Sequence, residues 1–211
     1  IRAMMRAMNI AYEEIEKRRF FTFYAYAILM TFGSFVFIWL SLLLIVGVPA
    51  ILHFINLDAS AEHAARILPW LLLFAVFAFA VGVMYRFGPS RRPARKRWIY
   101  PGIAFATLSW LLISYAFSKF VAEFGNYNAT YGSLSAVVIL LVWLWLTANV
   151  IIMGAELNSE LERQTIVDTT RGPARALGQR GAAMADFKAT DTSLTDAKAE
   201  ILAPQETEDL I

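Results

Sequence analysis

Cysteine is absent from this 211-residue chain, which excludes disulfides, thiolate metal sites and cysteine nucleophiles. Histidine is scarce. His53 and His63 are the only two, and their spacing is not the i, i+4 pair of a helical metal site. The neighbouring acids Asp58, Glu62 and Glu123 do not complete a ligand pattern, so neither a metal nor another cofactor is expected. There is no Gly-rich phosphate loop, nucleophile elbow or triad pattern, and no enzymatic activity is expected. Charge is thin as well, at 17% of residues against about a quarter in soluble domains. The net charge of +2 does not call for a nucleic-acid partner.

The charge that exists avoids four runs, residues 20–57, 67–85, 98–118 and 124–155, none of which holds an Asp, Glu, Lys or Arg. A hydrocarbon core about 30 Å thick is crossed by about 20 apolar residues in a helix. The expected fold is therefore all-α, a polytopic transmembrane helix bundle with spans at about 21–48, 67–85, 99–118 and 133–155. Gly47-Val-Pro49 ends or kinks the first span. Asp58-Ala-Ser60 reads as a loop leading to a short polar helix. Residues 1–19 are amphipathic, charged and unlike a cleavable signal peptide. They read as an interfacial helix or the extension of a preceding one.

Lys and Arg alternate across these spans. Arg2, Arg6, Lys17, Arg18 and Arg19 precede the first, and Arg86, Arg91, Arg92, Arg95, Lys96 and Arg97 separate the second from the third. Six more follow the fourth, while only Arg66 and Lys119 fall on the other side. The positive-inside rule then places residues 1–19, 86–97 and 156–211 in the cytoplasm, with both termini of this chain there. Residues 1–163 read as a transmembrane domain. Residues 164–211 read as a mostly disordered cytoplasmic tail with a weak helix near Leu194–Leu202.

Polar residues inside the spans form stripes. Ser135, Asn149 and Glu156 fall at multiples of seven, which is close to two turns. Thr107, Ser114 and Ser118 share a face of the third span, as Thr31, Ser34 and Ser41 do of the first. Such stripes serve interhelical packing or line a substrate path. Glu156, Glu160 and Glu162 read as solvated residues at the end of the last span. The basics Arg91, Arg92, Arg95, Lys96 and Arg97 supply the topology signal and suit anionic headgroups, so the expected partners are membrane lipids and not nucleic acid. A homo-oligomer is compatible with the pattern. Asn128-Ala-Thr130 matches a glycosylation acceptor, a frequent chance match. Trp143 and Trp145 read as packing or lipid contacts.

Several segments carry a resemblance. Phe124-Gly-Asn-Tyr-Asn-Ala-Thr-Tyr-Gly-Ser-Leu-Ser-Ala136 and Gly154-Ala-Glu-Leu-Asn-Ser-Glu-Leu-Glu-Arg163 resemble two long signatures of the YihY/virulence factor BrkB family. Arg6–Tyr12, Arg18–Phe20, Tyr85–Pro89 and Trp98–Gly102 are similar to its shorter motifs. The resemblance covers residues 1–163 and implies a bacterial inner-membrane protein. Members usually have about six helices, so a fragment lacking the first of them is expected, in keeping with the start at Ile1. Ser135 and Asn149 depart from the family pattern. The expected function is envelope transport or lipid handling, with a structural scaffold as the alternative and the ribonuclease of an older family label ranked last.

Overall fold

The computed structural model describes residues 1–53, 59–123 and 133–187. A chain that crosses a bilayer must satisfy its backbone polar groups within itself, and a helix does so. Four helical stretches are long and apolar enough to cross: Phe20–Gly47, Ile67–Phe87, Lys96–Ala122 and Leu134–Arg163. They cover the four expected spans. The elements in order are α1 (Arg2–Ala11), α2 (Phe20–Leu42), α3 (Val48–His53), α4 (Ala59–Phe87), α5 (Lys96–Glu123), α6 (Ser133–Arg163) and the single turn α7 (Ala183–Asp186).

Between α2 and α3, residues Leu43–Gly47 widen into a π-helical turn. Pro49 has no N–H to return to Ile45, so the regular ladder cannot continue through this point. From Ala59 on, the stretch expected as the end of a loop and a short polar helix is continuous with the second span as one helix. It starts at Ala59 and runs through Pro69. At the other end of the bundle the helices outlast the apolar runs. α6 continues eight residues beyond Ala155 to Arg163, about 12 Å at 1.5 Å per residue.

Packing is lopsided along the bundle. We call the end bearing the Arg91–Arg97 loop the basic end. Met8 and Ala11 of α1 and Tyr12, which follows it, pack there with Val81 and Tyr85 of α4, Ile99 and Ala106 of α5, and Val150 and Ala155 of α6. Met5 of α1 packs with Phe23 and Ala27 of α2. Midway, the Phe77 ring stacks on Trp110 at 4.2 Å and Trp110 meets Trp143 edge-on at 6.1 Å. Trp143 is thus a packing residue, while Trp145 is exposed. Beyond this level burial thins to Leu44, in the π-helical turn, and Pro69 of α4 among the described residues. Among the described residues, none from 108 to 122 of α5 and none from 134 to 149 of α6 is buried.

The tail differs from its expected disorder as far as residue 187. Thr169 and Thr170 are fully buried, and Ala182, Met184 and Ala185 are buried too. The segment after α6 is held by polar groups, which the lack of a long apolar period conceals. Residues 188–211, with the weak helix expected near Leu194–Leu202, lie outside the described residues. So do Asp58 and the stretch 124–132, with its acceptor match at Asn128–Thr130.

Candidate functional site

The most developed polar structure lies at the basic end. Its centre is an ion pair between the α4–α5 loop and the last turn of α6. Arg91 donates to both Glu162 oxygens, at 2.7 and 2.6 Å, and the side chains are 2% and 0% exposed. The parallel two-bond geometry is the strong form of an Arg–carboxylate contact. Thr169 donates a third bond to Glu162 at 3.0 Å, and the Arg91 guanidinium lies 4.1 Å from the centre of the Tyr12 ring. Burial alone would lower the Arg91 pKa, but hydrogen bonding and charge from Glu162 outweigh it and hold the pKa raised. Burial pushes the Tyr12 hydroxyl up to about 12, with Arg91 pulling the other way.

Two turns deeper along α6, α5 and α6 touch through glycines. A Cβ on Gly154 would lie 2.7 Å from the Gly102 carbonyl oxygen. Pro101 sits inside α5, and the Gly102 N–H beyond it is taken by the Asn158 side-chain oxygen at 2.7 Å. The Tyr85 hydroxyl donates to the Ile151 carbonyl at 2.7 Å. Gly154, Asn158 and Glu162 fall at intervals of four and so share one face of α6. That spacing is the signal by which sequence reading could have grouped them.

The link between α1 and α2 is fastened to the same end. Glu13 takes a left-handed φ of 49°, and the Glu14 N–H bonds back to the Asn9 carbonyl at 2.8 Å, closing α1 as a Schellman-type turn. Asn9 accepts the Ser90 N–H at 2.7 Å and donates to Glu16 at 2.9 Å. Arg18 donates to the Phe87 and Gly88 carbonyls, capping the last turn of α4. Hydrogen bonds from Arg18 hold the Glu16 carboxyl down to about 2.

The segment after α6 then straps the loop. Arg95 N–H donates to the Thr169 carbonyl at 2.8 Å, Arg171 N–H to Pro93 at 2.9 Å, and Arg92 N–H to Gly181 at 3.0 Å. Ala94 and Thr170 form an antiparallel bridge. Arg95 donates its side chain to the Thr170 carbonyl at 3.0 Å. Arg180 donates to the Ile166 and Ala185 carbonyls at 2.8 and 2.7 Å, and Ala183 N–H meets Glu14 at 2.6 Å. Asp168 closes the turn by accepting from Thr170 and Arg175.

The expected site residues are thereby sorted. Of the basics, Arg91, Arg92 and Arg95 are engaged within the chain, while Lys96 and Arg97 are exposed. Glu162 is not a solvated last-turn acid: it lies in the interior, where a carboxylate persists only when paired. Glu156 and Glu160 are exposed. Thr107 is buried, and its hydroxyl donates to Ile103 of its own helix at 2.6 Å. Asn149 donates to Trp145 of its own helix at 2.7 Å. Thr31, Ser34 and Ser41 do likewise to the carbonyl four residues back. Ser135 is half-buried and Ser118 exposed. The Ser114 hydroxyl is buried with no hydrogen-bond partner among the described residues.

Four apolar helices, joined at one end by a buried polar network, define a polytopic α-helical membrane protein. This chain belongs to the virulence factor BrkB family, whose model matches residues 1–178. It is similar to YfkH of Bacillus subtilis, described as ribonuclease-like, with 30% identity over 77% of this chain and 60% of that protein. It is also similar to UPF0761 membrane proteins of Aliivibrio salmonicida, at 27% identity over 76% of this chain and 51% of the relative, and of Idiomarina loihiensis, at 29% over 76% and 55%. The chain thus spans little more than half the length of these curated relatives. No solved structure matches.

Proposed function

We propose that this chain forms part of a transport or lipid-handling protein of the bacterial inner membrane, with the basic end in the cytoplasm. The observation that carries the reading is the lopsided core. The basic end is fastened through α1, the α4–α5 loop, α6 and the strap. The other halves of α5 and α6 carry no buried residue among those described, yet they hold Ser114, Ser118, Ser135 and Asn149. A bundle closed at one face and loosely packed towards the other suits a polar path opening to the outer leaflet. The excess of Lys and Arg on the fastened side supports the orientation.

The competing reading is a scaffold. Its support is that most stripe hydroxyls, and Asn149, bond to their own helices and need no substrate or neighbour. Ribonuclease activity has the least support. Glu162 is committed to Arg91, and neither histidine falls on the basic side of the sequence.

The test is transbilayer movement of fluorescent phosphatidylglycerol in proteoliposomes holding the protein at its full native length. Movement above protein-free liposomes is expected, reduced several-fold by Asn149→Leu and by Glu156→Gln. Folded protein that moves no lipid would favour the scaffold.

A further inference from the structure

We propose that the start of α5 is a docking site for an anionic phospholipid of the leaflet at the basic end, its phosphate held by Lys96 and Arg97. The proposal concerns binding alone and stands whether or not the protein moves lipid.

The loop from Arg91 to Arg97 looks uniform in sequence, but the fold divides it. Arg91 is spent on Glu162. Arg92 and Arg95 donate to carbonyls of the strap. The Lys96 and Arg97 side chains are exposed and make no hydrogen bond or ion pair to another described residue, the Arg97 guanidinium lying 5.5 Å from the centre of the adjacent Trp98 ring. They are also the first two residues of a membrane-spanning helix, so their charges sit at headgroup level.

Beyond these two cations, α5 presents an apolar face to its surroundings. Tyr100, Ala104, Leu108, Leu111 and Tyr115 recur at helical spacing from Arg97 and therefore form one stripe. All five are exposed, with Tyr100 at 58% and Leu108 at 61%. A cation pair heading a continuous apolar stripe matches the two-part chemistry of a phospholipid: phosphate at the interface, acyl chain alongside. The aromatic ring of Tyr100 lies between the two, where amphipathic rings favour the membrane–water boundary. A negative headgroup is favoured over a zwitterionic one because each nearby Lys or Arg contributes about 1 kcal/mol at an anionic surface.

The full-length protein in nanodiscs, examined by native mass spectrometry, tests this with defined lipid. Retained phosphatidylglycerol is compared with retained phosphatidylcholine for the wild type, Lys96→Gln/Arg97→Gln, Lys96→Arg/Arg97→Lys, and Arg6→Gln/Arg171→Gln. The last removes the same charge from exposed positions elsewhere. Wild type is expected to retain phosphatidylglycerol preferentially. The Gln pair at 96 and 97 should lower that retention about tenfold or more, the scale of two lost cations. The charge-keeping pair should preserve it and the distant pair should leave it within about twofold. Equal loss in the two Gln pairs would show a diffuse surface potential and overturn the site. Unchanged retention in Lys96→Gln/Arg97→Gln, or loss in the charge-keeping pair, would overturn it too.

Discussion

Glu162→Ala is expected to cost about 3–5 kcal/mol of stability, the range for breaking a buried ion pair from one side. The cost arises from Arg91, not from the missing carboxylate itself. With its side chain 2% exposed, the guanidinium would keep its charge and lose the group that compensates it. Thr169 would also lose the acceptor of its 3.0 Å bond. The double replacement Arg91→Met/Glu162→Leu should recover most of the loss, because removing both charges also removes the desolvation penalty. Thermal unfolding in detergent, run as a double-mutant cycle, measures the coupling. A single-variant loss below about 1 kcal/mol would mean the pair is solvated, as surface pairs are.

Gly154→Ala is the second large effect, at about 3 kcal/mol, near the top of the usual range for overpacking. The added methyl would lie 2.7 Å from the Gly102 carbonyl oxygen and 3.0 Å from the Ala106 Cβ, and would strike the Tyr85 hydroxyl. Two of these obstacles belong to α5, so relief means pushing two helices apart. Gly33→Ala is the internal comparison. A Cβ at Gly33 meets nothing within 4 Å, so that variant should be neutral or gain up to about 1 kcal/mol from helix propensity. The same unfolding assay reads both. Equal effects at the two glycines would contradict the close α5–α6 contact.

The spans were legible because a bilayer imposes its thickness on local composition: charge-free length alone locates them. The helix ends were less so. α6 continues through Glu156–Arg163 because a helix has no reason to stop where the hydrocarbon does, provided its next turns find partners. The polar network was hidden for a different reason. Arg91 and Glu162 are 71 residues apart, each within a charged stretch that reads as solvated by itself. Only the fold brings them together. The same holds for the strap, whose anchors are mostly backbone groups and therefore leave no side-chain signature.

The short segments that carried the family resemblance gain a physical meaning from the fold. Asn9 and Tyr12, Arg18, Tyr85 and Gly88, Gly102, Gly154, Asn158 and Glu162 each take part in fastening the basic end. Asn149, the most prominent position on sequence grounds, proves the less demanding one. Its amide donates one turn back to the Trp145 carbonyl, an option any helix offers a short polar side chain.

The central claim is that the bundle is fastened at the basic end and loosely packed at the other. The lack of cysteine in this chain makes single-cysteine labelling, with any cysteine elsewhere in the full-length protein replaced by serine, the most direct test. Ser135→Cys, Asn149→Cys and Ser159→Cys would be exposed to a polar maleimide in the reconstituted full-length protein. Modification at 135 and 149, with position 159 protected until the protein is denatured, is the expected result. Protection at 135 and 149, or ready modification at 159, would contradict the account.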